Sequence, residues 1–80
     1  MENEYGQRVY RKLLYFFENK IKVHFDLTET GKWFNGEILD LDEKKLTLVL
    51  KENILGDLPF LLEDINEDSI SKYTPKEYKG

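Results

Sequence analysis

Cysteine is absent from this 80-residue chain, which excludes disulfide staples, cysteine-held zinc or iron–sulfur centres and a thiol nucleophile. Histidine occurs once, at His24, so no second histidine is available to share a metal. No phosphate loop, serine–histidine pairing or acidic metal cluster is in view, and the adjacent carboxylates Asp42–Glu43 and Glu63–Asp64 sit in turns, where such groups cap backbone and face solvent. The chain is therefore expected not to be an enzyme and to need no metal or cofactor. Long apolar runs are lacking too: nothing approaches the roughly 18 residues that span a bilayer, and Met1-Glu2-Asn3-Glu4 is acidic where a signal peptide is basic. A cytoplasmic protein without a membrane partner is expected. Finally, there is no excess of positive charge. Twelve Lys and Arg against sixteen Asp and Glu leave a formal net charge of −4, which excludes a generic electrostatic coat for nucleic acid and leaves a local basic site open.

What is present is enough for one small domain. A chain of this size buries only about 60–65% of its unfolded surface, so its stability margin is thin and association would help it. The eleven aromatic residues exceed what so small a core needs, and part of them is expected at an interface.

The apolar period divides the chain. From about residue 5 to 18, Tyr10, Leu13, Leu14 and Phe17 fall at i, i+3, i+4 and i+7, one face of an amphipathic helix, with Tyr15 and Phe16 off that face. Gly6 weakens the first turn, and Asn19 is the expected left-handed end. From Lys20 the period becomes two, with Ile21, Val23, Phe25 and Leu27 alternating against Lys22, His24 and Asp26. Thr28–Lys32 has turn composition. A second strand follows from Trp33 to Leu41, and its mid-strand Gly36 marks a sharp bend between two halves of a small barrel. After the polar turn 42–45, Leu46, Leu48 and Leu50 alternate as a third strand, and residues 52–57 read as a loop. A fourth strand is expected over Leu58–Leu62, with Pro59 marking a strand start or an edge, and a short fifth around Ser69–Tyr73. The fold class expected is mainly β: a five-stranded antiparallel barrel, SH3-like or OB-like in closure, preceded by a helix and followed by a polar tail over 74–80.

Val23, Phe25, Leu27, Gly31, Gly36, Ile38 and Asp42, in that phase and behind a helix, resemble the first motif of the Sm-like (LSm) family of ring-forming RNA-binding proteins. Ile65-Asn66-Glu67-Asp68-Ser69-Ile70 resembles the second. The resemblance covers most of the chain and implies the Sm form of the SH3-like barrel. Gly31 then serves the hairpin, Gly36 the bend and Asp42 the turn before the third strand. It also implies a homo-oligomeric ring of six or seven subunits, closed by the fourth strand of one copy on the fifth of the next, with Leu58, Phe60, Leu62, Ile70 and Tyr73 as interface residues. By the same resemblance, single-stranded RNA meets the turn carrying Lys44, Lys45 and Thr47 and the loop carrying Asn66. Here Lys45 stands at the family's stacking place, Leu46 and Thr47 at its Met-Asn pair, and Asn66 at its arginine.

Arg8, Arg11 and Lys12 lie on the helix, in a stretch (residues 1–24) of net charge +2, and on a ring would repeat a basic patch; the alternative is an ordinary solvated helix face. Lys44 and Lys45 either hold phosphate or keep a hairpin soluble. Trp33 and Tyr73 serve either base stacking or packing. Residues 52–71 hold six acids and no Lys or Arg. That acidic run supports a second expectation, a protein-binding module on the same barrel, with Tyr15, Phe16 and Tyr73 as spare aromatics.

Overall fold

The computed structural model describes residues 3–74; the polar tail beyond Thr74 lies outside the described residues. The helix α1 runs over Glu4–Glu18. It starts where it does because the Asn3 side chain accepts a hydrogen bond from the Gly6 N–H at 2.8 Å, satisfying one of the donors a first turn leaves free. Its buried face is Gly6, Val9 and Leu13, with Tyr5, Tyr10, Phe16 and Phe17 packed against the core. Phe16, expected off the face, therefore belongs to it. Both stripes have helical spacing, and docking selects the one that includes Val9. The left-handed residue is Lys20 (φ 55°), one later than expected; Asn19 instead donates its side-chain amide to the Tyr15 carbonyl at 2.8 Å.

Five antiparallel strands follow: β1 Val23–Asp26, β2 Trp33–Asp42, β3 Thr47–Glu52, β4 Gly56–Leu61 and β5 Ser71–Lys72, in the spatial order β4-β3-β2-β1-β5. Between β4 and β5 lie two 3₁₀ turns, Leu62–Asp64 and Glu67–Ser69. The β1–β2 turn uses Gly31 at φ 73°, a left-handed conformation that costs glycine nothing. Strand β2 pairs with β1 over Trp33–Gly36 and with β3 over Gly36–Asp42, so Gly36 is where it passes from one neighbour to the other. A side chain is impossible there without movement, because a Cβ on Gly36 would lie 2.2 Å from the Lys51 carbonyl oxygen. A bulge between Ile38 and Asp40 leaves Leu39 exposed and turns Leu41 back onto the core.

The core joins helix to sheet. Val9 and Leu13 meet Val23, Phe25, Ile38, Leu48 and Leu50 from the strands and Leu62 and Ile65 from the first 3₁₀ turn and its exit. Truncating any of the buried leucines to alanine is a change that costs about 2–5 kcal/mol in such sites.

The hydrogen-bonded barrel expected from the sequence is not closed. Among the described residues no ladder joins β4 to β5, and the sheet is open with those two strands as its edges. The physical reason is local. The chain spends Leu62–Asp64 and Glu67–Ser69 on 3₁₀ turns, which shortens β5 to two residues. The Leu27–Ile65 bridge and the Leu62 N–H donating to the Leu46 carbonyl at 2.9 Å partly span the gap. Leu62, expected on the fourth strand as an interface residue, is instead wholly buried in this chain's own core. The residue exposed at that end of β4 is Leu61. No helix among the described residues is long and apolar enough to cross a membrane.

Candidate nucleic-acid interface

Because α1 buries Val9 and Leu13, it turns Arg8, Arg11 and Lys12 outward. These three side chains and Glu67 line one shallow depression of about 300 Å³. Two of the cations are engaged there: the Glu67 carboxylate accepts from Arg8 Nε at 3.2 Å and lies 3.4 Å from Lys12 Nζ. Partial burial pushes the Glu67 carboxyl up, but hydrogen bonds and charge from Arg8 and Lys12 more than reverse this and hold it below its ordinary value. Arg11 makes no ion pair with the described residues. The Arg8 guanidinium also lies over the Tyr5 ring, 5.4 Å from its centroid.

Tyr5 fixes the same turn from beneath. Its hydroxyl donates to the Ile65 carbonyl at 2.6 Å and accepts from the Glu67 N–H at 2.9 Å. Asn66, placed by the sequence at a nucleotide contact, has its side-chain oxygen occupied by the Asp68 N–H at 3.1 Å, where it caps the second 3₁₀ turn. Its backbone N–H donates to the Asp26 carbonyl, which ties this loop to β1.

Asp42 does what the spacing implied. Its Oδ1 accepts from the backbone N–H groups of both Lys44 and Lys45 at 2.9 Å, shaping the β2–β3 turn and leaving both lysine side chains exposed. Thr47 opens β3, half-buried and paired with Asp42 and Leu61. The neighbourhood is not uniformly basic. Burial raises the Tyr10 phenol above its ordinary value, and the carboxylates of Glu43, Glu18 and Asp42 add to that shift. The structure thus gathers Arg8, Arg11 and Lys12 with Glu67 and places Lys44, Lys45 and Thr47 on a separate turn. Only the first group shares a described depression.

The two sheet edges carry free backbone groups in a definite phase. The Leu62-to-Leu46 bond makes alternate pairs along β3 and β4 the bonded ones, so Asp57, Pro59 and Leu61 aim their backbone groups away from β3. Pro59 stands where its missing donor breaks no ladder bond. The Tyr73 N–H donating to the Lys22 carbonyl at 2.9 Å sets the same phase on β5, where Lys72 faces outward. Of the expected interface residues, Leu58, Phe60, Ile70 and Tyr73 are half-buried, with Phe60 and Ile70 packed on this chain's own core.

Trp33 and His24 were separable only by structure. His24 Nδ1 lies 2.6 Å from Asn35 Oδ1, so this nitrogen carries the proton and donates, and the His24 ring tilts against Trp33 at 6.0 Å. Trp33 is nevertheless 64% exposed. It borders an apolar cleft of about 570 Å³ that the sequence did not reveal, because its walls come from turns far apart in the chain. Comparison with family models, curated proteins and solved structures finds no match to this chain.

Proposed function

We propose that this chain is a subunit of an Sm-like homo-oligomeric ring that acts as an RNA-binding scaffold or RNA chaperone. The observation that carries the reading is the sheet itself: a leading helix, the order β4-β3-β2-β1-β5, a strand handed from β1 to β3 at Gly36, and two outer strands with unpaired backbone groups. A free β4 edge bearing Leu61 is an aggregation hazard unless another strand covers it, and β5 of a second copy is the strand the fold leaves equally free. Head-to-tail pairing of these edges repeats Arg8, Arg11 and Lys12 around one face, so that weak phosphate contacts add by avidity. Lys44, Lys45, Thr47 and Asn66 supply the second set of contacts. The test is a salt-titrated binding assay against uridine-rich and adenine-rich single strands. Affinity above a nonspecific background, lost when Arg8, Arg11 and Lys12 become alanine, supports the reading; background binding at low salt contradicts it.

A second reading, a protein-binding module on the same fold, is favoured by one specific contact. Glu67 already neutralises two of the three helix cations, and Asp68 lies beside it.

A further inference from the structure

The largest apolar opening in the molecule lies away from the helix face. Phe34 and Phe60 form its floor with ring centroids 5.0 Å apart, and Phe25 backs Phe60 edge-on at 5.2 Å, so the floor is anchored in the core. Trp33 and Leu55, each 64% exposed, flank it, and Ile54 beside Leu55 is 87% exposed. A cleft of about 570 Å³ falls within the range of roughly 300–1,000 Å³ typical of ligand pockets. Exposed large apolar side chains grouped at one opening mark an interaction surface.

Charge decides the kind of occupant. Lys32 is the one cation among the residues that line the cleft. Asp57, on the strand that forms one wall, is exposed, as is Glu29 on the turn beside the other. Glu52 adds a third carboxylate at the base of the β3–β4 turn, where it accepts from the Ile54 and Leu55 N–H groups at 2.7 Å and so presents those two residues outward. No Lys or Arg occurs from 52 to 71. A phosphate backbone lying along that wall meets repulsion, whereas a peptide with an apolar side chain between basic neighbours meets complementary groups at both points.

We infer that the cleft between the β1–β2 turn and β4 binds an extended segment of a partner protein, seating an apolar side chain on Phe34 and Phe60 and setting flanking Lys or Arg side chains against Asp57 and Glu29. This surface is separate from the helix face and from the RNA contacts, and does not depend on them.

Trp33 is the only tryptophan in the chain, so its emission reports the cleft directly. The probes are acetylated, amidated hexapeptides with a Leu-Leu centre flanked by lysines, the same centre flanked by glutamates, and a Ser-Ser centre flanked by lysines. The lysine-flanked Leu-Leu peptide is expected to shift Trp33 emission saturably, with affinity at least about tenfold above either control. Leu55→Ser, at an exposed position, is expected to weaken binding about tenfold with an unchanged thermal midpoint. Asp57→Lys is expected to reverse the preference between lysine and glutamate flanks. The inference is overturned by the absence of a saturable shift, by equal binding of both flanks, or by an oligouridylate that shifts Trp33 as strongly as the peptide. It is equally overturned by an emission shift that follows protein concentration and ignores peptide, which would make a second copy the occupant. None of these outcomes bears on ring formation, which is read from mass.

Discussion

Arg8 and Glu67 lie 59 positions apart in the chain and are joined by a hydrogen-bonded ion pair, with Arg8 Nε 3.2 Å from the Glu67 carboxylate. Lys12, one helical turn further on, closes on the same carboxylate at 3.4 Å, and Tyr5 holds the Glu67 backbone N–H from below. The contact therefore does two things at once. It latches α1 to the turn before β5, and it withdraws charge from the residues that would meet phosphate.

The latch is expected to depend on acid. The Glu67 carboxyl is held below its ordinary value in the folded chain, so its contribution to stability is fully present above the usual carboxylate range and is lost as pH falls through its lowered value. Urea midpoints measured from neutral pH down to acid should fall for the native chain, and less steeply for Glu67→Gln. Parallel curves for the two proteins would contradict the latch.

Releasing the cations should also be visible in binding. Glu67→Gln is expected to tighten RNA binding and to steepen its salt dependence, because Arg8 and Lys12 become available to phosphate. An affinity unchanged by this substitution would separate the helix face from RNA.

Arg8, Arg11 and Lys12 changed together to alanine should act in the opposite direction. Each lost phosphate contact on a single strand lowers the slope of log affinity against log salt by about 0.7. A filter-binding series over several salt concentrations reads this, and a slope equal to that of the native chain would remove the helix from the interface.

Tyr5→Phe deletes a hydroxyl that donates to the Ile65 carbonyl and accepts from the Glu67 N–H. Leaving those partly buried groups unpaired should cost about 1–3 kcal/mol, measured as a lower urea midpoint with an unchanged m-value. A midpoint equal to that of the native chain would mean that water replaces the hydroxyl without loss.

The two motif glycines should differ in cost. Gly36→Ala places a methyl group 2.2 Å from the Lys51 carbonyl and requires the β2–β3 ladder to move, at a cost of about 2 kcal/mol or more. Gly31→Ala meets no atom within 4 Å, and its cost, about 1–2 kcal/mol, comes from the left-handed φ of 73° alone. Equal thermal shifts for the two would contradict this account of the bend.

The roles of Gly31, Gly36 and Asp42 were legible in the sequence because each answers to a local demand: a positive φ, a strand crossing and a turn that needs an acceptor. The alternation of Val23 with Phe25 and of Leu48 with Leu50 was legible for a similar reason, since one face of each strand had to be dry. The phase of α1 was not. Tyr10, Leu13, Leu14 and Phe17 make as regular a stripe as Gly6, Val9, Leu13 and Phe16, and only docking against the sheet distinguishes them. Leu62 looked like the end of an edge strand because nothing in an apolar run announces a 3₁₀ turn. Asn66 carried the right position for a nucleotide contact, but its side chain is spent on capping Asp68. The pairing of Glu67 with Arg8 and Lys12, and the cleft bordered by Trp33 and Leu55, join segments distant in sequence and have no local signature.

The most direct test of the assembly is absolute mass in solution, by light scattering behind size exclusion, across protein concentration and salt. A concentration-independent mass of six or seven 9.6-kDa chains is the result expected from head-to-tail pairing of β4 and β5. A monomer at micromolar protein would contradict it, leaving the open sheet with both edges free and no avidity for RNA.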